Sequence, residues 1–421
     1  MDYELSSNSK SLIVVGGGAA GFFCAVNAAR MNPDLKVLIL EKSGKLLSKV
    51  KVSGGGRCNV THACFKIAEM AKRYPRGANF VKKTFHRFFT TDTIEWFESR
   101  GVQLKTEMDG RMFPISDSSQ SIIKCLLQEA AKYKVEIKLH IDVKQIKQRE
   151  KCFDIIVNNG QVMTADYLCI ATGGAPKLQM FDWLTAIGHT IAGPVPSLFT
   201  FNLKTGLGNN EKHPITALMG LSVDEVSIKI AGTTLLQQGS VLVTHWGLSG
   251  PCVLKLSAWG ARILAEKSWQ FLIIVNWLPA YNEHSITEAL KGYRFSLASQ
   301  KIYHKNPFAL PKRLWEFLLQ QIQVKEETRW ADLPAKQQSL LAKFLVSWEA
   351  DVNGKTTFKE EFVTAGGINL SEIDANTMMS KKVSNLYFAG EVIDVDGITG
   401  GYNFQNAWST GWVAAKSMAN S

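Results

Sequence analysis

Gly16-Gly17-Gly18-Ala19-Ala20-Gly21 sets glycines at G-x-G-x-x-G spacing, directly after the apolar run Leu12-Ile13-Val14-Val15 and directly before an alanine-rich stretch. Each glycine at that spacing has a mechanical task. Gly16 makes the tight turn, Gly18 admits backbone close to a pyrophosphate, and Gly21 lets helix and strand pack closely. The helix start then presents N–H groups and the positive end of its dipole to the anion. Glu41 stands twenty residues beyond Gly21, at the end of the next apolar run, Val37-Leu38-Ile39-Leu40. A carboxylate there grips a ribose 2′-OH. It also argues against a 2′-phosphate, which calls for Arg. The spacing points to FAD or NAD and does not choose between them.

FAD is long, and one strand–turn–helix fingerprint holds only its ADP half. The flavin half needs contacts from elsewhere in the chain, and three stretches suit it. Gly390-Glu391 follows the apolar run Leu386-Tyr387-Phe388-Ala389, where a carboxylate can take ribityl hydroxyls while backbone N–H groups face phosphate. Gly400-Gly401-Tyr402-Asn403 offers bare backbone against which a flat ring can lie. Ser53-Gly54-Gly55-Gly56-Arg57-Cys58-Asn59 can turn several N–H groups toward one acceptor, with Arg57 and Asn59 as added donors.

Together with Glu41-Lys42, Lys49, Thr172-Gly173-Gly174, Thr244 to Pro251 and Thr364 to Gly367, these motifs run in order along almost the whole chain. On them the sequence resembles the BaiN/YhiN-like family of FAD-dependent oxidoreductases, which includes aminoacetone oxidase. The resemblance implies an α/β fold: a Rossmann-like FAD-binding domain interrupted by an inserted antiparallel β-barrel-like domain and a helical domain. It implies cofactor contacts from Gly16, Gly18, Ala19, Ala20, Gly21, Glu41, Lys42, Lys49, Ser53, Gly54, Gly56, Arg57, Cys58 and Asn59. Thr172, Gly173, Gly390, Glu391, Gly401, Tyr402 and Asn403 complete that set, with Val143 at the position whose backbone meets the adenine in related flavoproteins. The implied activity is hydride transfer between a small organic substrate and flavin N5. Oxygen reoxidises the flavin in the family's amine oxidases, and NAD(P)H drives its ene-reductases. No second G-x-G-x-x-G lies between a strand and a helix, so NAD(P)H as a transient donor would bind without a full Rossmann domain of its own. The alternative reading is a flavin-binding protein acting on or with nucleic acid, or an FAD protein without independent turnover.

His245, in Thr244-His245-Trp246-Gly247-Leu248-Ser249-Gly250-Pro251, is the candidate acid–base group, since imidazole titrates near neutral pH and this glycine-rich loop reads as a domain junction. Cys58 and Cys64 are spaced Cys-x5-Cys, one residue longer than the Cys-x4-Cys of flavin disulfide reductases. They read as packing or cofactor contact. Seven cysteines without Cys-x-x-Cys suit a reducing compartment, and no metal site is legible among them and the eight histidines.

The elements that must hold these residues follow from the pattern. Leu12–Val15, Ala19–Met31 and Val37–Leu40 read as one βαβ unit, with Asn32-Pro33-Asp34 ending its helix. Lys134–Ile146, Lys151–Val157 and Tyr167–Ile170 read as strands. Phe199–Leu278 alternates in short stretches, the mark of an antiparallel module, and Tyr281–Trp348 turns helical, with Leu314, Phe317, Leu318 and Ile322 on one face. The expected domains are 1–195 with 356–421 for the cofactor, 196–279 with about 335–355 for the barrel-like insertion, and 280–334 for the helices. The chain has 421 residues, 46% of them hydrophobic and 20% charged, which excludes a disordered or fibrous protein. The net charge of +11 is scattered, with no arginine-rich block, and gives a weak pull on anions rather than a nucleic-acid interface. Leu12–Ala29 carries no charge, but its glycines belong to the fingerprint. The chain reads as cytoplasmic, without a membrane span, its oligomeric state open.

Overall fold

Strands buried on both faces need short, mostly apolar sequences. Ser11–Val15, Tyr167–Ile170 and Leu386–Phe388 meet that requirement and are almost wholly buried. In the computed structural model, which describes residues 9–204, 211–356 and 363–420, they join Lys36–Glu41 and Glu136–Leu139 in one parallel sheet. Its order is Leu386–Phe388, Tyr167–Ile170, Ser11–Val15, Lys36–Glu41, Glu136–Leu139. The first helix, Ala19–Met31, buries every residue from Ala20 to Ala29. Its Phe23 ring packs 5.2 Å from Trp408 of the last helix, Tyr402–Ala419, and 4.6 Å from Trp96. The first helix is therefore sandwiched, which explains a composition apolar all round.

The stretch Lys134–Ile146 does not form one strand. Glu136–Leu139 ends the parallel sheet, His140 turns the chain with φ +59°, and Val143–Gln148 starts a separate antiparallel sheet with Phe153–Val157 and Val162–Ala165. A second small sheet orders Thr61–His62, Arg111–Pro114 and Leu104–Thr106, and Ile191–Ser197 pairs with Val363–Ile368. All of these belong to one compact unit, Met1–Ser197 with Phe358–Ser421.

The other unit, Leu198–Thr357, holds a closed six-stranded barrel ordered Thr200–Lys204, Gly247–Ser249, Leu236–Thr244, Ser222–Ile230, Gln270–Asn276, Trp348–Thr356. Closure leaves no sheet edge unpaired. Glu283–Ser296, Lys312–Gln321 and Ala335–Val346 are helices, the last within the span grouped with the barrel in the sequence. Barrel residues such as Ile273 and Val275 and helix residues such as Leu314 and Leu341 form one continuous core. Trp315, Trp330 and Trp348 are buried in it. No helix among the described residues is long and apolar enough to cross a membrane.

A buried polar cluster ties the strand that begins at Ile191 to the turn before Leu386. His189 Nδ1 donates to Glu372 Oε2 (3.0 Å), and Ser380 Oγ donates to His189 Nε2 (3.1 Å). Lys382 Nζ (2.6 Å) and the Thr190 N–H (3.0 Å) complete the shell of Glu372. Burial opposes the charge on Glu372, but the bonds from Lys382, Thr190 and His189 outweigh it and hold the carboxyl down to about 2. Burial keeps His189 below its ordinary range. A carboxyl that titrates lower when folded stabilises above its unfolded value and loses that contribution as pH falls toward the folded one. Glu372→Gln is expected to lower the urea midpoint at pH 7 and to flatten its decline between about pH 4.5 and pH 2. A midpoint whose acid limb is unchanged by the substitution would contradict this.

Candidate functional site

The first strand ends where two backbones meet. Gly16 N–H donates to Leu40 O (2.8 Å) and Ala171 N–H donates to Val15 O (2.8 Å), so the turn is held from both sides of the sheet. Gly16 has φ +116°, and a Cβ on it would lie 2.4 Å from Ala171 O. A Cβ on Gly21 would lie 1.9 Å from Gly16 O. No larger residue fits either place. Gly18 is the N-cap of the first helix, without a side-chain cap, and there is no acid in the first turn. Space in front of Gly18 is open to 4 Å. Ala19 and Ala20 begin a helix whose first N–H groups are left to an outside acceptor, the arrangement that binds phosphate.

Glu41 pins this turn. Its Oε2 accepts from Gly17 N–H (2.8 Å), and its Oε1 accepts from both the N–H and the hydroxyl of Ser43 (2.8 Å each). A carboxylate offers about four acceptor positions, so Oε2 keeps one for a ribose hydroxyl. Glu41 lines a cavity of about 360 Å³ together with Gly16, Lys42, Val143, Thr172 and Gly173. The cavity lies beyond the carboxyl ends of the parallel strands, where open α/β sheets bind their ligands. Gln179–Leu184, a segment that carries no motif in the sequence, lines it as well.

The second cluster gathers residues far apart in the chain. Lys49 Nζ meets Glu391 Oε2 at 2.6 Å, and Thr364 N–H donates to Glu391 Oε1 (2.8 Å). Gly174 leaves room for them, since a Cβ there would lie 2.5 Å from both Glu391 Oε1 and Thr364 Oγ1. Gly390 N–H, expected to face phosphate, donates instead to Thr410 Oγ1 of the last helix (2.9 Å). Asn59, with its amide turned to satisfy both ends, accepts from Gly401 N–H and donates to Thr61 O, each at 3.0 Å. Asn403 closes its own loop through Gly397 N–H (2.8 Å) and Gly397 O (2.9 Å). Tyr402 is buried, stacked on His62 at 4.8 Å, and burial pushes its phenol up to about 12.

The Ser53–Asn59 segment divides. Gly54 and Gly55 are left-handed, and Gly55 and Gly56 face open space, as a backbone nest requires. Ser53 Oγ donates to Val50 O (3.2 Å). Arg57 does not join the nest. Its guanidinium pairs with Glu107 (2.5 Å) and Asp117 (3.6 Å) and lies 4.0 Å above the Phe113 ring. Cys58 is fully buried, and burial pushes its thiol up to about 12, far from the range of a reactive thiolate. Cys58 and Cys64 are both free thiols. His245 is exposed in the two-residue turn between two barrel strands, its ring edge-on to Trp246 at 4.2 Å. No group of three or more His, Cys, Asp or Glu among the described residues is placed to hold a metal ion.

One buried charge escaped the sequence reading. Asp396 has no exposure and receives both the Arg76 guanidinium and the Ser197 hydroxyl (2.8 Å). Burial raises its carboxyl despite those partners. The pair anchors the loop that leads through Gly400 into Gly401, and nothing local to Arg76 announces it.

The residues fit an FAD dinucleotide: an uncapped helix start, an anchored carboxylate with one acceptor position to spare, and an adenosine-sized cavity. A family model described as the HI0933-like protein Rossmann domain matches residues 10–417. The chain is 31% identical over 414 residues to the ribosomal RNA dihydrouridine synthase of Escherichia coli strain K12, covering 96% of this chain and 97% of that one. It is 28% identical over 417 residues to the 3-dehydro-bile acid delta(4,6)-reductase of Clostridium scindens, covering 96% and 98%. The solved 3-ketosteroid delta1-dehydrogenase from Sterolibacterium denitrificans shares the fold, with a TM-score of 0.50 at 12% identity over 98% of this chain and 100% of that one.

Gly21→Ala is expected to purify without bound flavin and with stability lowered by about 1–3 kcal/mol, the usual result of forcing a methyl into a filled space. Full FAD occupancy in the variant, by absorbance, would contradict the steric account. Asp396→Ala leaves the Arg76 cation with its carboxylate partner gone and is expected to cost about 3–5 kcal/mol in urea unfolding. A loss below 1 kcal/mol would show the pair to be solvated.

Proposed function

The chain belongs to the HI0933-like Rossmann-domain family of FAD-dependent oxidoreductases, and from that premise we propose that it reduces a carbon–carbon double bond conjugated to a carbonyl. The observation that carries the reading is the single dinucleotide cradle built around Gly16–Gly21 and Glu41, joined to relatives whose names describe one kind of chemistry. Making dihydrouridine saturates a uracil double bond that is conjugated to a carbonyl. A delta(4,6)-reductase of a 3-dehydro steroid saturates double bonds conjugated to a ketone. Both additions are a hydride at the carbon distal to the carbonyl and a proton next to it.

Bound FAD in its reduced form supplies the hydride, and the protein supplies binding, orientation and electrostatics. The first turn of Ala19–Met31 takes the pyrophosphate on its N–H groups, while Glu41 Oε2 takes the adenosine ribose. The Lys49–Glu391 pair stands by for the ribityl hydroxyls, and the Gly400–Gly401 backbone is the proposed neighbour of the flat ring. NAD(P)H serves as a transient reductant. His245 is kept as the proposed proton donor.

A second reading makes the conjugated carbonyl a uracil within RNA. It is favoured by the 31% identity to a ribosomal RNA dihydrouridine synthase. The two readings share one reaction and differ in the substrate's charge.

Anaerobic stopped-flow with NADH and NADPH is expected to bleach the flavin. Mixing the bleached protein with a steroid 4-en-3-one, or with a ribosomal RNA fragment, then restores the colour. Reoxidation by RNA whose rate falls steeply between 50 and 200 mM salt selects the second reading. Retained flavin that neither nucleotide bleaches would sink the reductase assignment and turn attention to amines with oxygen. Protein that takes up no flavin would sink both.

A further inference from the structure

Gln179–Leu184, which spans a 3-10 turn, Leu178–Phe181, and a single helical turn, Asp182–Thr185, lines the same cavity as Glu41. Its attachment is firm. Phe181 and Leu184 are 2% and 1% exposed and sit in the core of the unit. Between these anchors Trp183 is half-buried and lines the cavity. Its Nε1–H donates to Met180 O at 3.0 Å. That bond occupies the one polar atom of the indole and fixes the ring's direction, so what remains for a ligand is apolar ring surface. Val15, Leu40, Ile141 and Val143, also apolar, line the same cavity. Met180, which lines the same cavity, is 41% exposed, and the adjacent Leu178 is 51% exposed. Large apolar side chains at a cavity mouth mark a surface that a ligand covers.

From this arrangement we infer that Trp183 is the stacking platform for the adenine of the dinucleotide, with Met180 closing over its edge. The inference rests on the FAD reading above and adds to it the residue that distinguishes a purine-bearing cofactor from flavin mononucleotide. The chemistry favours it. The cavity of about 360 Å³ suits an adenosine and is too small for the whole cofactor. Glu41 offers an acceptor to the ribose, and the same lining offers Trp183 and aliphatic side chains to the base. A base held between an aromatic face and aliphatic side chains is recognised by stacking and shape, and purines stack more strongly than water competes.

The test uses flavin-free full-length protein and two variants, Trp183→Ala and Trp183→Phe. FAD affinity, read by quenching of flavin fluorescence, is expected to weaken about tenfold or more in Trp183→Ala and to stay within about threefold of wild type in Trp183→Phe. Titration with ADP, which carries the adenine and no flavin, is expected to quench a component of tryptophan emission that is absent from Trp183→Phe. Thermal midpoints of the three flavin-free proteins separate lost binding from lost folding. FAD affinity in Trp183→Ala within twofold of wild type would overturn the assignment, and so would identical ADP quenching in wild type and Trp183→Phe. Wild-type protein that binds neither FAD nor ADP overturns the cofactor reading and this inference with it. Wild-type FAD binding with an indifferent Trp183 overturns the inference alone.

Discussion

The approach of Gly21 to the carbonyl of Gly16 is the contact on which the site depends. A methyl group at that place would lie 1.9 Å from the oxygen. Its absence lets the first helix start directly over the end of the first strand. The helix then aims its uncapped N–H groups into the space beyond the sheet, and the dipole adds partial positive charge there. Such a helix start suits an anion, the role proposed for it here. Glu41 is part of the same constraint, since its bond to Gly17 holds the turn and leaves a lone pair as the proposed acceptor for the ribose.

Around that backbone contact, the charged side chains mostly serve the protein itself. Arg57 answers Glu107, Arg76 answers Asp396, and Lys49 answers Glu391. A partly buried charge without a partner is costly, and pairing it inside the fold removes that cost while fixing loops that carry glycine. What remains for the proposed cofactor is mainly main-chain N–H groups, the spare acceptor of Glu41 and the already paired Lys49 and Glu391. Such contacts are set by backbone position and need no side-chain ordering when ligand arrives.

The fingerprint, its helix and Glu41 were legible because their geometry is local: one strand, one turn, one helix, a fixed count of residues. The buried strands were legible for the same reason, from runs of Val, Ile and Leu. The break at His140 was not, because a positive φ at a single residue leaves little trace in the pattern around it. Nor was the destination of hydrogen bonds across hundreds of residues. Gly390 N–H goes to Thr410, Asn59 reaches Gly401, and Arg57 turns away from the glycine nest toward Glu107. In each case residue type announced a donor or an acceptor, and packing chose its partner.

The sequence by itself determined a dinucleotide-binding α/β domain, an inserted antiparallel module, and the family to which both belong, since periodicity and motif spacing are properties of neighbouring residues. Only the tertiary structure decided which polar groups face the ligand and which are consumed within the protein. It alone brought Lys49 to Glu391, placed Gly174 beside that pair, and put Trp183 in the lining of the cavity. The physical reason is the same throughout. A side chain's type sets what it can bind, but its partner is chosen by burial and by close approach of distant backbone, and those exist only once the chain has folded.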